Sequence, residues 1–112
     1  MELQALTIGD GIMRLALTGR FDIMGAQQID AAFKGMVAEH ARLIIDMEKV
    51  PFLASMGIRT LIMGAKTMKA KGGRMVLFKP IADVEAVLTD SGTDTIIPIT
   101  HDLSAAVAAV SG

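Results

Sequence analysis

The feature that most constrains the fold is an apolar run followed, within a few residues, by the start of a periodic helix. Residues Leu43 to Ile45 are apolar at successive positions, which is typical of a strand that is covered on both faces. Pro51 lacks a backbone donor for a strand ladder, so the strand must end before it. A helical stripe then follows, in which apolar residues recur at spacings of three and four: Ile58, Leu61, Ile62, Ala65 and Met68. The stretch therefore predicts a buried strand, a turn and a helix in series.

Ser55 lies where this helix is expected to begin. Serine is a favoured N-cap residue, because its hydroxyl can accept a hydrogen bond from a free N–H group of the first turn. The same N–H groups and the positive end of the helix dipole would also favour a phosphate carried by Ser55. The residues alone favour the plain cap, and a phosphorylated serine is the functional alternative.

The segments around this unit predict a sheet of mixed direction. Leu3–Thr7 and Ile12–Thr18 flank a Gly-Asp-Gly turn and alternate in character, so they are expected to form an antiparallel hairpin. Asp22 precedes a stretch of helical periodicity and is expected to cap or stabilise its entry. After the Ser55 helix, two glycines lead into the strand Arg74–Phe78, which completes a right-handed strand-helix-strand unit with parallel strands.

The last third of the chain predicts two further helices and an edge strand. A short helix is expected to open at Pro80. Thr95–Ile99 is expected to be an edge strand, because Pro98 removes a ladder donor that a central strand would need. A final helix is expected from near Thr100, with Thr100 as its cap. Residues 1–112 are thus predicted to form one α/β domain, with a mixed sheet of four or five strands covered mainly by four α-helices.

Composition narrows the possible classes of function. The chain is 52% hydrophobic and 21% charged, which indicates a folded protein rather than a disordered one. Its net charge of −1 gives no general attraction to nucleic acid, and the absence of Cys excludes thiolate chemistry. The sequence shows neither a signal-peptide pattern nor an apolar run long enough for membrane insertion, so we expect a soluble cytoplasmic protein.

No set of residues has the spacing of a catalytic, cofactor or metal site. His40 and His101 fall on separate predicted helices, and no phosphate-binding loop occurs. The outer face of the helix after Ser55 is more informative, because it combines thioether and cationic side chains. That face carries Met56, Arg59, Met63, Lys66 and Ala70. It is either ordinary solvated surface or a docking surface for a protein, and we expect a binding protein rather than an enzyme.

The stretch from Leu43 to Ile58 resembles the signature of the STAS domain, the fold of bacterial anti-sigma factor antagonists. In that family an apolar strand ends in Asp, as at Asp46, and leads into a hydroxyl-bearing turn followed by Gly at a helix start. Gly19-Arg20-Phe21-Asp22 is similar to the family segment that enters the first helix. Two glycines before a later strand, and a late Asp90-Ser91-Gly92, extend the resemblance over nearly the whole chain.

The resemblance implies a regulator that binds an anti-sigma factor or a serine kinase of the histidine-kinase-like ATPase type, with a phosphate on Ser55 as its switch. The partner-binding residues that it implies are Asp22, Ala54, Ser55, Met56, Gly57, Arg59, Met63 and Lys66. The chain departs from the family pattern at two of them, because Ala54 stands where the family has an acid and Met56 where it has a second hydroxyl residue.

These two departures leave another role open, that of a constitutive STAS subunit in a membrane lipid-transport ATPase assembly. In such a role the domain would stabilise an ATPase and need no phosphate. A small-ligand or nucleotide-binding module is a third possibility, but the sequence offers no phosphate loop for it.

Overall fold

The computed structural model describes residues 1–111, which form a five-stranded sheet flanked by helices on both faces. The strands are β1 (Glu2–Gly9), β2 (Ile12–Thr18), β3 (Arg42–Lys49), β4 (Arg74–Phe78) and β5 (Ile99–Thr100), and they lie side by side in that order. The helices are α1 (Ile23–Glu39), α2 (Ser55–Ala70), α3 (Ala82–Asp90) and α4 (Leu103–Ser111). Only the β1–β2 pair is antiparallel, so the predicted mixed sheet with four helices is confirmed.

The β1–β2 hairpin forms where the sequence predicts it. Its turn places Asp10 and Gly11 at positive φ, 53° and 75°, a conformation that glycine adopts freely and aspartate tolerates. Leu3 pairs with Leu17 across the ladder, so two apolar residues point to the same side of the sheet. That side is the larger core, which continues beneath the helices.

The two faces of the sheet are covered unequally. Helices α1, α2 and α3 pack on one face and enclose the larger core with residues such as Phe33, Leu61 and Leu88. Helix α4 alone covers part of the other face, where its Ala106 and Val110 meet apolar residues of the central strands. Because β3 and β4 are covered on both sides, their successive residues are buried, as the apolar run in the sequence predicts.

The buried side of α2 differs in part from the predicted stripe. Leu61 and Met68 are buried as expected, but the other buried positions are Gly57 and Gly64. A Cβ at Gly64 would lie 2.7 Å from Cε2 of Phe33 on α1, so the two helices approach closely at this glycine. The predicted stripe residues that are only half-buried are Ile58, Ile62 and Ala65. Apolar periodicity missed the glycines because close helix packing selects small residues, which carry no hydrophobic signal.

Two predictions near the C-terminus are wrong. The segment Thr95–Ile99 is predicted as an edge strand, but Thr95 ends a 3-10 turn (Thr93–Thr95), and only Ile99 belongs to the edge strand β5 (Ile99–Thr100). The turn is held by the buried Thr93, whose hydroxyl lies 2.7 Å from Ser91 Oγ and whose carbonyl accepts from the Ile97 amide at 2.9 Å. The last helix is preceded by Asp102, whose carboxylate accepts from the Ser104 amide at 3.2 Å. Asp102 therefore caps α4, whereas the predicted cap Thr100 belongs to β5.

Candidate functional site

Two loops lie side by side at one end of the sheet and set the positions of α1 and α2. The loop 19–22 joins β2 to α1, and the loop 50–54 joins β3 to α2. The Phe21 amide donates to the Phe52 carbonyl at 2.9 Å, and the Ala54 amide donates to the Phe21 carbonyl at 3.0 Å. We call these two segments the paired loops. Because backbone hydrogen bonds join them, the first turns of both helices are held against each other.

Asp22 closes the first of the paired loops as the N-cap of α1. Its carboxylate accepts a hydrogen bond from the Gly25 amide at 2.9 Å, which confirms the predicted role at the helix entry. The Gly25 hydrogen bond, together with the Arg20 guanidinium 3.5 Å away, holds the pKa of Asp22 below its usual value. Arg20 also stacks over the ring of Phe52, 4.2 Å from its centroid, so it links both loops on the outside.

Helix α2 begins at Ser55, as predicted, but its cap differs from the prediction. Its N-cap residue is Ala54, which has no side chain to cap the helix, and Ser55 is the first helical residue. The prediction that Ser55 caps α2 is therefore wrong. Ala54 is extended, with φ −110° and ψ 175°, and its amide donates a hydrogen bond to the Phe21 carbonyl. The extended backbone therefore continues up to Ala54, and the helical backbone starts at Ser55. Ser55 is left exposed on a first turn whose N–H groups have no side-chain cap.

Gly57 is buried beneath this first turn and faces the paired loops. A Cβ at this position would lie 2.6 Å from the Phe21 carbonyl oxygen and 2.8 Å from Cδ1 of Leu53. The glycine therefore permits α2 to approach the loops closely. Gly57 can contribute to a partner surface only by positioning α2, because its own atoms are covered.

Exposed apolar side chains occur on the loop before Ser55 and on the first turns of α1 and α2. Met56 is exposed beside Ser55, Phe52 is exposed on the preceding loop, and Met24 on the first turn of α1 is 64% exposed. Grouped large apolar side chains at a surface are a common property of protein-binding sites. The predicted site residues are thus brought together in space, with Asp22, Ala54 and Ser55 along the paired loops and the start of α2.

The outer face of α2 continues from this surface. Arg59, Met63 and Lys66 are all exposed, as the helical spacing predicts. Over its whole length α2 contains three cationic residues and no acidic one. The face is therefore positively charged and partly apolar, a combination suited to an acidic partner.

Few side chains within residues 1–111 are placed for chemistry other than binding a partner. Within residues 1–111, no group of three His, Cys, Asp or Glu side chains is placed to hold a metal ion. His101 lies at the edge of the sheet, where its Nε2 is 2.7 Å from Glu85 Oε1. The other histidine, His40, is far from it in the sequence and lies at the end of α1. Across the same described residues, no helix has both the length and the hydrophobicity needed to cross a membrane.

Sequence reasoning missed the structural roles of two residues that build the site. Phe21 is fully buried and provides the backbone bridge between the loops, although its neighbours in the sequence are polar. Gly25 lies in the first turn of α1, where a Cβ would come within 2.2 Å of the Arg20 carbonyl oxygen. A glycine three residues after an N-cap aspartate, in an otherwise helical pattern, was the available signal for that close contact.

Comparisons with known proteins agree on one family. The family model of the STAS domain matches residues 4–106. BtrV of Bordetella bronchiseptica, named as an anti-sigma factor antagonist, is 28% identical over 101 residues, which cover 89% of this chain and 87% of that protein.

Solved structures of low sequence identity to this chain have the same fold. The TM1081 protein of Thermotoga maritima, described as an anti-sigma factor antagonist, superimposes with a TM-score of 0.88 at 20% identity, covering 98% of this chain and 95% of that one. The anti-sigma factor antagonist SpoIIAA in its unphosphorylated form gives 0.75 at 22% identity, covering 93% and 92% of the two chains. The phosphorylated form of Bacillus SpoIIAA gives 0.71 at 20% identity, covering 93% and 96%.

Proposed function

Because this chain belongs to the STAS domain family, we propose that it acts as an anti-sigma factor antagonist, binding a protein partner through the paired loops and the outer face of α2. The proposed partner is an anti-sigma factor or a serine kinase of the histidine-kinase-like ATPase type. Binding such a protein would release the regulatory target that it holds. The domain would thus act by occupying a partner and not by catalysis.

The observation that carries this proposal is the position of Ser55. Its side chain is exposed on the first turn of α2, between the exposed Met56 and the paired loops. In the turn from Leu53 to Gly57 it is the one hydroxyl-bearing residue. A modification at Ser55 would therefore lie on the proposed binding surface itself.

We propose that phosphorylation of Ser55 lowers the affinity for the partner. A phosphoserine adds a charge of about −1.5 to −2, which the uncapped N–H groups and the helix dipole at the start of α2 would stabilise locally. The same charge would largely cancel the two positive charges that Arg59 and Lys66 give to this face, and so weaken its attraction for an acidic partner. Ala54 leaves no neighbouring carboxylate to oppose the phosphate, so the folded domain should tolerate it.

The alternative role in a lipid-transport assembly gains no specific support. The relatives described above are named as anti-sigma factor antagonists, including one solved with and without phosphorylation.

The test begins with capture of the native partner from host extract by the full chain. The purified partner and ATP are then incubated with the chain, any phosphate is mapped by mass spectrometry, and partner affinity is measured by calorimetry for wild type, Ser55→Ala and Ser55→Asp. We expect modification at Ser55 and about tenfold weaker binding by Ser55→Asp, which corresponds to about 1.4 kcal/mol.

Ser104→Asp is the matched control, because Ser104 is also exposed in the first turn of a helix but lies on α4, at the opposite face of the sheet. It should bind the partner like wild type. If Ser55 stays unmodified and the three Ser55 proteins bind equally, the phosphorylation switch is refuted and a constitutive binding role replaces it.

A further inference from the structure

Helices α1 and α2 are separated on their outer side by a groove of about 320 Å³, which we call the α1–α2 groove. It runs along α2 from Met56 to Thr67, a distance of about 16 Å at the usual rise of about 1.5 Å per residue. Its floor includes the ring of Phe33, which the side-chain-free Gly64 allows to lie close to α2. The groove is therefore elongated and has an aromatic floor.

The polar groups in the walls are satisfied within the domain. The Thr60 hydroxyl donates to the Met56 carbonyl and the Thr67 hydroxyl donates to the Met63 carbonyl, each at 3.0 Å. Across the groove, Lys34 is paired with Asp30 one turn away at 3.1 Å. Because these groups already have partners, the walls favour an apolar occupant over a heavily hydrogen-bonded one.

Arg59 is the exception among the charged groups that line the groove. It forms no ion pair within residues 1–111, and α2 contains no acidic residue that could neutralise it. Lys66 adds a second cation to the same helix. The charge that complements Arg59 is therefore negative, and an acidic side chain of the occupant would supply it.

We propose that the α1–α2 groove receives an amphipathic helix of the protein partner, with its apolar residues against Met56 and Met63 and an acidic side chain paired with Arg59. An elongated apolar groove fits a helix that projects anchors at positions i, i+3, i+4 and i+7. The inference rests on the proposed function in one respect, namely that this face of the domain binds a protein. It adds the structure and the charge of the segment that is bound.

The methyl groups of the chain's own methionines serve as NMR probes of the groove. Nine Met residues occur in the sequence, and among the groove-lining residues are Met56 and Met63. The full unphosphorylated chain, with ¹³C-labelled Met methyl groups, is titrated with a helical peptide of about 15 residues that carries Leu at the four anchor positions and Glu beside them. We expect chemical-shift changes at Met56 and Met63, and none at the buried Met47 on the sheet.

A matched peptide with Lys in place of Glu tests whether the groove prefers a negatively charged occupant. The Glu peptide should bind wild type about 3- to 10-fold more tightly than the Lys peptide, in keeping with a partly exposed ion pair. Arg59→Glu should abolish or reverse this preference. Lys69→Glu is the control, because Lys69 is an exposed cation of the same helix that does not line the groove.

Three results would overturn the inference. The first is the absence of Met56 and Met63 shifts at about 1 mM Glu peptide, a concentration that detects even weak complexes. The second is a response to octanoate but not to the peptide, which would assign the groove to a small amphiphile. The third is a concentration-dependent shift without peptide, which would assign it to a second copy of the chain.

These failures are distinguishable from failure of the proposed function. If the native partner is lost in Ser55→Asp but the peptide does not bind, the switch stands and the groove assignment fails. If the peptide binds as expected but the Ser55 variants hold the partner equally, the groove assignment stands and the switch fails.

Discussion

Replacing Gly57 by alanine tests whether the start of α2 depends on close contact with the paired loops. The added Cβ would lie 2.6 Å from the Phe21 carbonyl oxygen and 2.8 Å from Cγ of the same residue. That oxygen accepts the hydrogen bond from the Ala54 amide, so it cannot retreat without weakening the bridge between the loops. We expect Gly57→Ala to destabilise the fold and to shift the first turn of α2.

The expected size of the effect is the difference between two opposing terms. Overpacking a well-filled site by one methyl group costs about 1–3 kcal/mol. The better helix propensity of alanine offsets at most about 1 kcal/mol of this cost, and less in a first turn. The free energy of unfolding should therefore fall by about 1–2 kcal/mol, which corresponds to a loss of about 4–8 °C in Tm for a domain of this size.

The chain contains a matched control for this substitution. Gly35 lies within α1, and a Cβ there would have no neighbour within 4 Å. Gly35→Ala should therefore stabilise the domain by up to about 1 kcal/mol through helix propensity alone. Urea denaturation of both variants and wild type gives the comparison. Equal stability of Gly57→Ala and Gly35→Ala would show that contact with Phe21 does not limit the position of α2.

Two further predictions concern stability. Leu61→Ala should lower the free energy of unfolding by about 2–5 kcal/mol, because Leu61 is fully buried in the larger core; a change below about 1 kcal/mol in urea denaturation would contradict its placement there. Asp22→Asn keeps a capping side chain but removes the charge. Since the folded-state pKa of Asp22 is lowered, its carboxylate stabilises the fold above the unfolded pKa of about 4 and loses that effect as pH falls through the folded value. The stability advantage of wild type over Asp22→Asn should accordingly be present at pH of about 7 and shrink below about pH 4, and a pH-independent difference would refute this role.

Much of the fold follows from local patterns in the sequence. The hairpin turn, the strand Arg74–Phe78 and the apolar strand before Pro51 were all predicted from spacing and turn residues, and the structure confirms them. These features depend on properties of a few neighbouring residues, such as alternation, positive φ at a turn and the missing donor of proline. The STAS resemblance was carried by similar short segments, and the family match confirms it.

The candidate site was predicted only in part. The sequence identified Ser55, Met56 and Arg59, because their positions relative to the start of α2 are local. It assigned the helix cap to Ser55, although the extended conformation of Ala54 is set by a hydrogen bond to Phe21, more than thirty residues away in the chain. Local helix propensity cannot predict a contact between residues so far apart in the sequence.

The sequence by itself therefore determined the order of elements, the apolar core and the residue types on the outer face of α2. Only the tertiary structure decided that Ala54 and not Ser55 is the N-cap of α2, why Gly57 and Gly64 are needed and that α1 completes a groove beside Arg59. The physical reason is that periodicity reports which side of an element is apolar. Close approach, capping and charge pairing depend instead on atoms brought together from distant parts of the chain.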